Sequence, residues 1–290
     1  MQVSVTPRMH FPRDTGSADG WRSLEPGHGW PRLAPGEIWR HRELLGFFIW
    51  RDVTVRYKQT LLGVGWALVQ PLATFAVFSI VFGRLAHLAS DGVPYPAFCL
   101  AGLLPWMLFA SGVTTAANSL VGNVNLLTKV YFPRLLLPLS NVIGALVDFS
   151  VSLAVALAVF CCYGITPSMR LVLLPLPLLL VLTTAAGTGF WLAALNARYR
   201  DVRHALPFLV QLWMYGTPIV YSLAIVPAPW RVAAAINPLV TAVEAFRQIL
   251  LGTAGPPLSL IAVSTCSAVA LLLSGMAIFR LAERSVADTI

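Results

Sequence analysis

Long uncharged stretches separated by short polar ones set the pattern of this chain. Residues 59–83, 92–128, 171–197, 204–230 and 248–279 contain no Asp, Glu, Lys or Arg, and 135–169 contains one, Asp148. A helix needs about 20 apolar residues to cross a hydrocarbon core of about 30 Å, and all six stretches are long enough. Lipid offers no partners for backbone amides, so a spanning segment is a helix or part of a closed barrel. Without the strict alternation of strands, the stretches read as helices. The pattern predicts six spans near 64–85, 97–121, 138–162, 171–195, 206–226 and 257–280.

Composition agrees with this reading. Of the 290 residues, 57% are hydrophobic and 11% charged, against about 25% charged in a typical soluble protein. That is too little charge to coat a soluble particle, which excludes a cytosolic enzyme, a disordered chain and a disulfide scaffold. The fold class is an all-α polytopic membrane protein. An even number of spans puts both ends on one side, which then holds 16 of the 20 Lys and Arg residues. The other side holds Arg84, Arg170, Arg231 and Arg247. The positive-inside rule makes both termini cytoplasmic. The net charge of +8 is largely this topology signal, and its spread over four pieces argues against a nucleic-acid partner.

Residues 1–35 are rich in Pro, Gly and charge and show no signal-peptide core, so they read as a disordered cytoplasmic extension. Residues 36–58 mix aromatic and basic side chains. Ile38, Leu45, Phe48 and Ile49 share a face, and Trp39 and Trp50 suit the headgroup level. An amphipathic helix lying in the cytoplasmic interface is expected. Residues 59–282 form the spanning domain and 283–290 a short cytoplasmic tail.

Three connections stand out. In 122–134, Asn123 or Asn125 can cap a short helix that Pro133 ends. Leu126, Leu127, Val130 and Tyr131 on it would form an exposed apolar patch, which suggests a docking surface. The compact, charged segment 196–204 can brace the same partner. On the outer side, 239–251 is bracketed by Pro238 and Gly252 and is too short to span. It reads as a re-entrant or interfacial helix, with Glu244 and Arg247 three apart and able to pair.

The inventory of reactive groups is nearly empty. There are two lysines, Lys58 and Lys129, and neither follows a glycine, so there is no Walker A loop. Neither HExxH, Asp-x-Asp nor GxSxG occurs. The four cysteines lack metal-ligand spacing and read as small apolar packing residues. No metal or cofactor is expected. The one acid at bilayer depth, Asp148, is either a proton relay or a carboxyl that hydrogen-bonds a neighbouring helix, near Asn141, Ser150 or Ser152. A transporter so poor in ionisable groups needs a partner to supply free energy. Phe75, Phe78 and Phe82 make one helical stripe, and Phe208, Trp213, Tyr215 and Tyr221 cluster along the fifth span. Such faces can pass sugar rings by stacking, or can simply pack.

These segments resemble a known family. WRDVTVRYKQTLLGVGWALVQPL (50–72), LLTKVYFPRLLLPLS (126–140), LNARYRDVRH (195–204), LPFLVQLWMYGTPIVYS (206–222) and INPLVTAVEAFRQILLG (236–252) are similar, in order, to signatures of ABC transporter permeases that export polysaccharide: O-antigen, capsule or teichoic acid. The resemblance covers about 37–282. It implies the transmembrane half of a type 2 ABC exporter in the cell inner membrane, a homodimer working with two copies of a separate ATPase. ATP and Mg would then be bound by that partner.

The resemblance also implies residue roles. Residues 122–134 would be the coupling helix, with Asn125, Leu126, Leu127, Lys129, Tyr131, Phe132, Pro133 and Arg134 at the ATPase. The interface helix would be 37–49. Arg51, Asp52, Arg56, Tyr57 and Lys58 would carry it to the first span, and Leu62-Gly63 would approach the nucleotide site. Phe75, Phe78, Phe82, Trp213, Tyr215 and Tyr221 would line the channel, and Pro238, Glu244 and Arg247 would form the outer gate. Two other readings stay open: the same architecture carrying a drug or small lipid, and a stand-alone membrane glycosyltransferase or flippase.

Overall fold

The computed structural model describes residues 39–58, 65–78, 80–81, 92–129, 132–166, 168–199 and 201–286. Expectations for the extension 1–35 and for Leu62, Gly63, Phe82 and Tyr131 lie outside these residues. No strand occurs among the described residues. The helices are α1 (Arg42–Lys58), α2 (Gly65–Phe78), α3 (Tyr95–Gly122), α4 (Val124–Lys129), α5 (Leu136–Cys162), α6 (Pro175–Arg198), α7 (Val202–Tyr215), α8 (Ala228–Ala234), α9 (Pro238–Leu251) and α10 (Leu258–Val286). Short 3-10 turns occupy Met169–Leu173 and Leu223–Ile225.

Among the described residues, four segments are long and apolar enough to cross a membrane: Tyr95–Gly122, Leu136–Cys162, Met169–Arg198 and Leu258–Glu283. They match four predicted spans to within about three residues at each end. Prolines set several of their starts: Pro94 precedes α3 and Pro175 opens α6, where a missing N–H costs nothing.

Of the other two expected spans, part of the first lies outside the described residues, and the fifth differs. The described part of the first, α2, has 14 residues, about 21 Å of helix, which falls short of the hydrocarbon thickness. In place of a continuous fifth span over 206–226, α7 ends at Tyr215 after 14 residues. An irregular stretch, 216–222, follows it. Pro218 has no N–H to donate, and its ring pushes Thr217 out of the helical region, so the helix stops there.

Long-range contacts fix the directions of the long helices. Asn196, near the end of α6, donates to the carbonyl of Ala117 near the end of α3 at 2.8 Å. Arg134, just before α5, donates to the carbonyl of Glu283 near the end of α10 at 3.3 Å. At the opposite end, the Tyr95 hydroxyl at the start of α3 donates to Val220 O at 2.8 Å. Thus α3 and α6 run parallel and α5 opposes α10.

α3 is the central helix, buried along most of its length against α5, α6 and α9. α10 lies along α6, and α1 lies along α5. Apolar burial gains little between helices in lipid, so close van der Waals packing carries association. Gly187 shows how close. A Cβ there would lie 2.6 Å from the backbone of Leu271 and Leu272, and one at Gly275 would lie 2.3 Å from Gly187 O. On the other side of α6, a Cβ at Gly189 would meet Ala116 Cβ at 2.8 Å. The run Ala185-Ala186-Gly187-Thr188-Gly189 therefore thins α6 toward two neighbours at once.

Candidate functional site

Three places hold most of the residues singled out in the sequence. The first is the break after α7. Asn237 caps α9: its Oδ1 accepts from Leu239 N at 3.1 Å, and Pro238 takes the first helical position. The same Oδ1 accepts from Trp213 Nε1 at 3.1 Å. Its Nδ2 donates to Thr217 Oγ1 at 2.9 Å and to Gly216 O at 3.4 Å. One amide thus starts α9 and closes α7. Gly252 ends α9 in the left-handed region, at φ 77°, a conformation glycine adopts without a Cβ penalty.

Arg247 completes this site. Glu244 and Arg247 pair as their spacing suggested, with Nη1 3.1 Å from Glu244 Oε1. The guanidinium is fully buried. Nη2 donates to Ile219 O at 2.6 Å and Nη1 to Tyr221 O at 3.3 Å. Its flat face stacks on Phe98, with Cζ 3.6 Å from the ring centroid. Gly102 leaves the space, since a Cβ there would lie 2.9 Å from Nη2. Irregular backbone at membrane depth is tolerated only where protein satisfies it. Here Arg247, Asn237 and Tyr95 supply donors to the carbonyls of 216–221. Arg231 treats the next turn in the same way, donating to Val226 O at 2.8 Å and Ala224 O at 2.9 Å.

The second place is Asp148. The expected bond to a neighbouring helix forms, but the polar side chains nearby on α5 take no part: Asn141 and Ser150 bond carbonyls of their own helix, and Ser152 bonds the Asp148 backbone. The carboxylate is instead held by Arg56 and Tyr57 of α1. A lone acid at bilayer depth costs about 2.5–3.5 kcal/mol on insertion scales, and the guanidinium offsets that cost. The inward face of α1 changes character along its length. Leu44, Leu45 and Phe48 pack on the core, then Asp52 and Arg56 continue the same face in half-buried positions. Arg51 pairs with Asp52 at 2.7 Å. Trp39, Phe47 and Trp50 point outward, and Lys58 is exposed.

The third place is the end of the bundle at α4. The short helix forms as expected, with the carbonyl of Asn123 accepting from Leu126 N and Leu127 N. Its apolar residues are not left in the open, however. Leu126 and Leu127 are half-buried against the core, so the exposed face is Asn125, Thr128 and Lys129. Phe132 is buried, its ring 5.2 Å from Phe48. Pro133 and Arg134 are half-buried.

The aromatic residues divide. Phe75 and Trp213 pack against the core, Trp213 edge-on to Phe109 at 5.0 Å. Tyr221 is half-buried, while Tyr215 and Phe208 are exposed along α7 together with Leu212. α2 carries Phe78, whose side chain lies outside the described set. Residues that sequence reasoning missed, Asn237, Tyr95, Phe98 and Gly102, meet only through tertiary packing. The Asn-Pro step at 237–238 was a readable cap signal.

This architecture can be set beside known proteins. The ABC-2 type transporter family matches residues 43–251. An O-antigen export system permease protein RfbA of Myxococcus xanthus is 31% identical over 261 residues, 88% of this chain and 98% of that protein. A permease of the same name from Klebsiella pneumoniae is 29% identical over 202 residues, 69% of this chain and 77% of its own length. The polysialic acid transport protein KpsM of Escherichia coli is 25% identical over 247 residues, 81% and 92% of the two chains. The chain belongs to the ABC-2 type transporter family.

Proposed function

We propose that this chain is the transmembrane subunit of an ATP-driven exporter that moves a lipid-linked polysaccharide across the inner membrane. The observation that carries the reading is the near end-to-end match to relatives named for O-antigen export and polysialic acid transport. The lack of a Walker A sequence supports a separate ATPase. Two copies of the chain form the conduit, with two ATPase subunits and both termini on the cytoplasmic side. Six crossings arise if α2 with the residues after it, and α7 with 216–226, supply the two beyond the four long helices. The exposed stripe of Phe208, Leu212 and Tyr215 then faces the second copy and the passing glycan.

ATP closure in the partner pushes the α4 end of each protomer, tilting the two bundles apart. The glycan enters from the cytoplasmic leaflet and passes an outer mouth built on α9. Two states require contacts that differ between them, and the exposed polar face of α4 with Tyr131 supplies those at the motor. Deleting the gene tests the reading. Surface polysaccharide should vanish while its lipid-linked precursor accumulates inside the cell, and a complementing copy should reverse both. Normal surface glycan in the deletion strain would refute it.

A further inference from the structure

Asp148 lies about 18 Å along α5 from Leu136 at 1.5 Å per residue, and its carboxylate meets Arg56 and Tyr57 of α1. α1 also touches this side of the bundle at Phe48, whose ring lies 5.2 Å from Phe132 just before α5. About 12 Å of helix separates Phe48 from Arg56. One contact between two rods is a pivot, whereas two contacts spaced along them fix their relative tilt. We infer that Asp148 is a positioning residue for transport: with Arg56 and Tyr57 it fastens α1 to α5, so that a push at the α4 end moves both helices as one lever. This inference rests on the export reading.

The two contacts have different physical characters. Phe48 on Phe132 is apolar and can slide at little cost. The Arg56 and Asp148 side chains are 28% and 26% exposed, so solvent screens their attraction only in part. Losing one leaves the other unpaired among apolar helices. The pair therefore holds one arrangement against neighbours that would allow several. A proton carrier at Asp148 would need its carboxylate released in each cycle, a demand that the Arg56 and Tyr57 contacts oppose.

The test uses the full transporter with its ATPase in vesicles, reading both ATP hydrolysis and glycan transferred. Asp148→Asn should keep ATP hydrolysis within about twofold while glycan moved per ATP falls about tenfold or more. The exchanged pair Arg56→Asp with Asp148→Arg should restore at least about a third of the wild-type ratio, and so should Arg56→Lys. A merely structural acid would lower hydrolysis, transfer and inserted protein together. A proton carrier would stay lost in the exchanged pair. An unchanged ratio in Asp148→Asn overturns the inference, and so does an inserted exchanged pair that fails to couple. Loss of insertion in all these variants assigns Asp148 to folding and overturns it too.

A cargo-independent measurement separates this inference from the export reading. Spin labels at Val55 and Tyr163, both exposed, should keep one narrow separation with and without nucleotide, and Asp148→Asn should broaden it. A broad separation in the wild type sinks the lever even if glycan is exported. A narrow one that broadens on Asp148→Asn, without export, supports the fastening and removes only the export reading.

Discussion

Arg247 Nη2 donates to the carbonyl oxygen of Ile219 across 2.6 Å. The donor belongs to α9 and the acceptor to the irregular stretch that follows α7. The bond therefore ties the break in one helix to the middle of another. The guanidinium also holds Glu244, so its removal takes the cation from a buried carboxylate and the donor from two carbonyls. Arg247→Met should destabilise the chain by about 3–5 kcal/mol, the range for breaking a buried ion pair from one side. Arg247→Lys should cost about 1–3 kcal/mol, because a point ammonium cannot reproduce the planar fork. Unfolding in mixed micelles measures both, and an Arg247→Met chain as stable as the wild type would contradict the clamp.

Asn237 serves α9 and the end of α7 with one amide. Asn237→Ala should cost about 2 kcal/mol, more than an ordinary lost cap at about 1 kcal/mol, since Trp213 Nε1 loses its acceptor as well. Asn237→Asp keeps the acceptor oxygen and should recover part of the loss. Equal stability of the Ala and Asp variants would contradict a role for the oxygen that Leu239 N and Trp213 Nε1 share.

Two glycines at mid-helix positions should behave oppositely. Gly187 lies against the backbone of α10, whereas a Cβ at Gly144 meets nothing within 4 Å. Gly187→Ala forces the helices apart and should cost about 1–3 kcal/mol. Gly144→Ala should be neutral or stabilising by up to about 1 kcal/mol, from helix propensity. Thermal melts of the two variants in one detergent make the comparison.

At the proposed motor contact, Tyr131→Asp should leave insertion intact and abolish ATP-driven export by replacing a ring with a negative charge where the ATPase docks. Vesicle transport against the amount of inserted protein measures it, and wild-type export by the variant would count against the assignment.

The aromatic path makes a separate demand. Replacing Phe78 and Phe82 with Leu keeps apolar area but removes flat ring faces, so polymer export should slow while assembly persists. Unchanged export would leave these rings as packing residues.

Much of this was legible in the sequence. Four spans were readable from uncharged length, and α9 from Pro238 and Gly252. The Glu244–Arg247 pair follows from i, i+3 spacing alone. What Arg247 does with its remaining donors did not, because Ile219 and Tyr221 offer backbone carbonyls that carry no side-chain signature. The break after Tyr215 was written as Gly-Thr-Pro, but the uncharged run around it outweighed that signal. That Asp148 bonds a neighbouring helix was legible from its place in an apolar run, but which residues it meets was not, since partners 91 and 92 residues away are invisible to periodicity. Leu126 and Leu127 looked exposed because a six-residue helix cannot reveal which core it rests on.

The central claim is that the conduit and the motor are separate polypeptides. The direct measurement is reconstitution of the purified chain in liposomes loaded on one face with lipid-linked glycan, with and without its ATPase. Alone, the chain should neither consume ATP nor transfer glycan, and adding the ATPase should start both. Vectorial transfer by the chain alone would contradict the account.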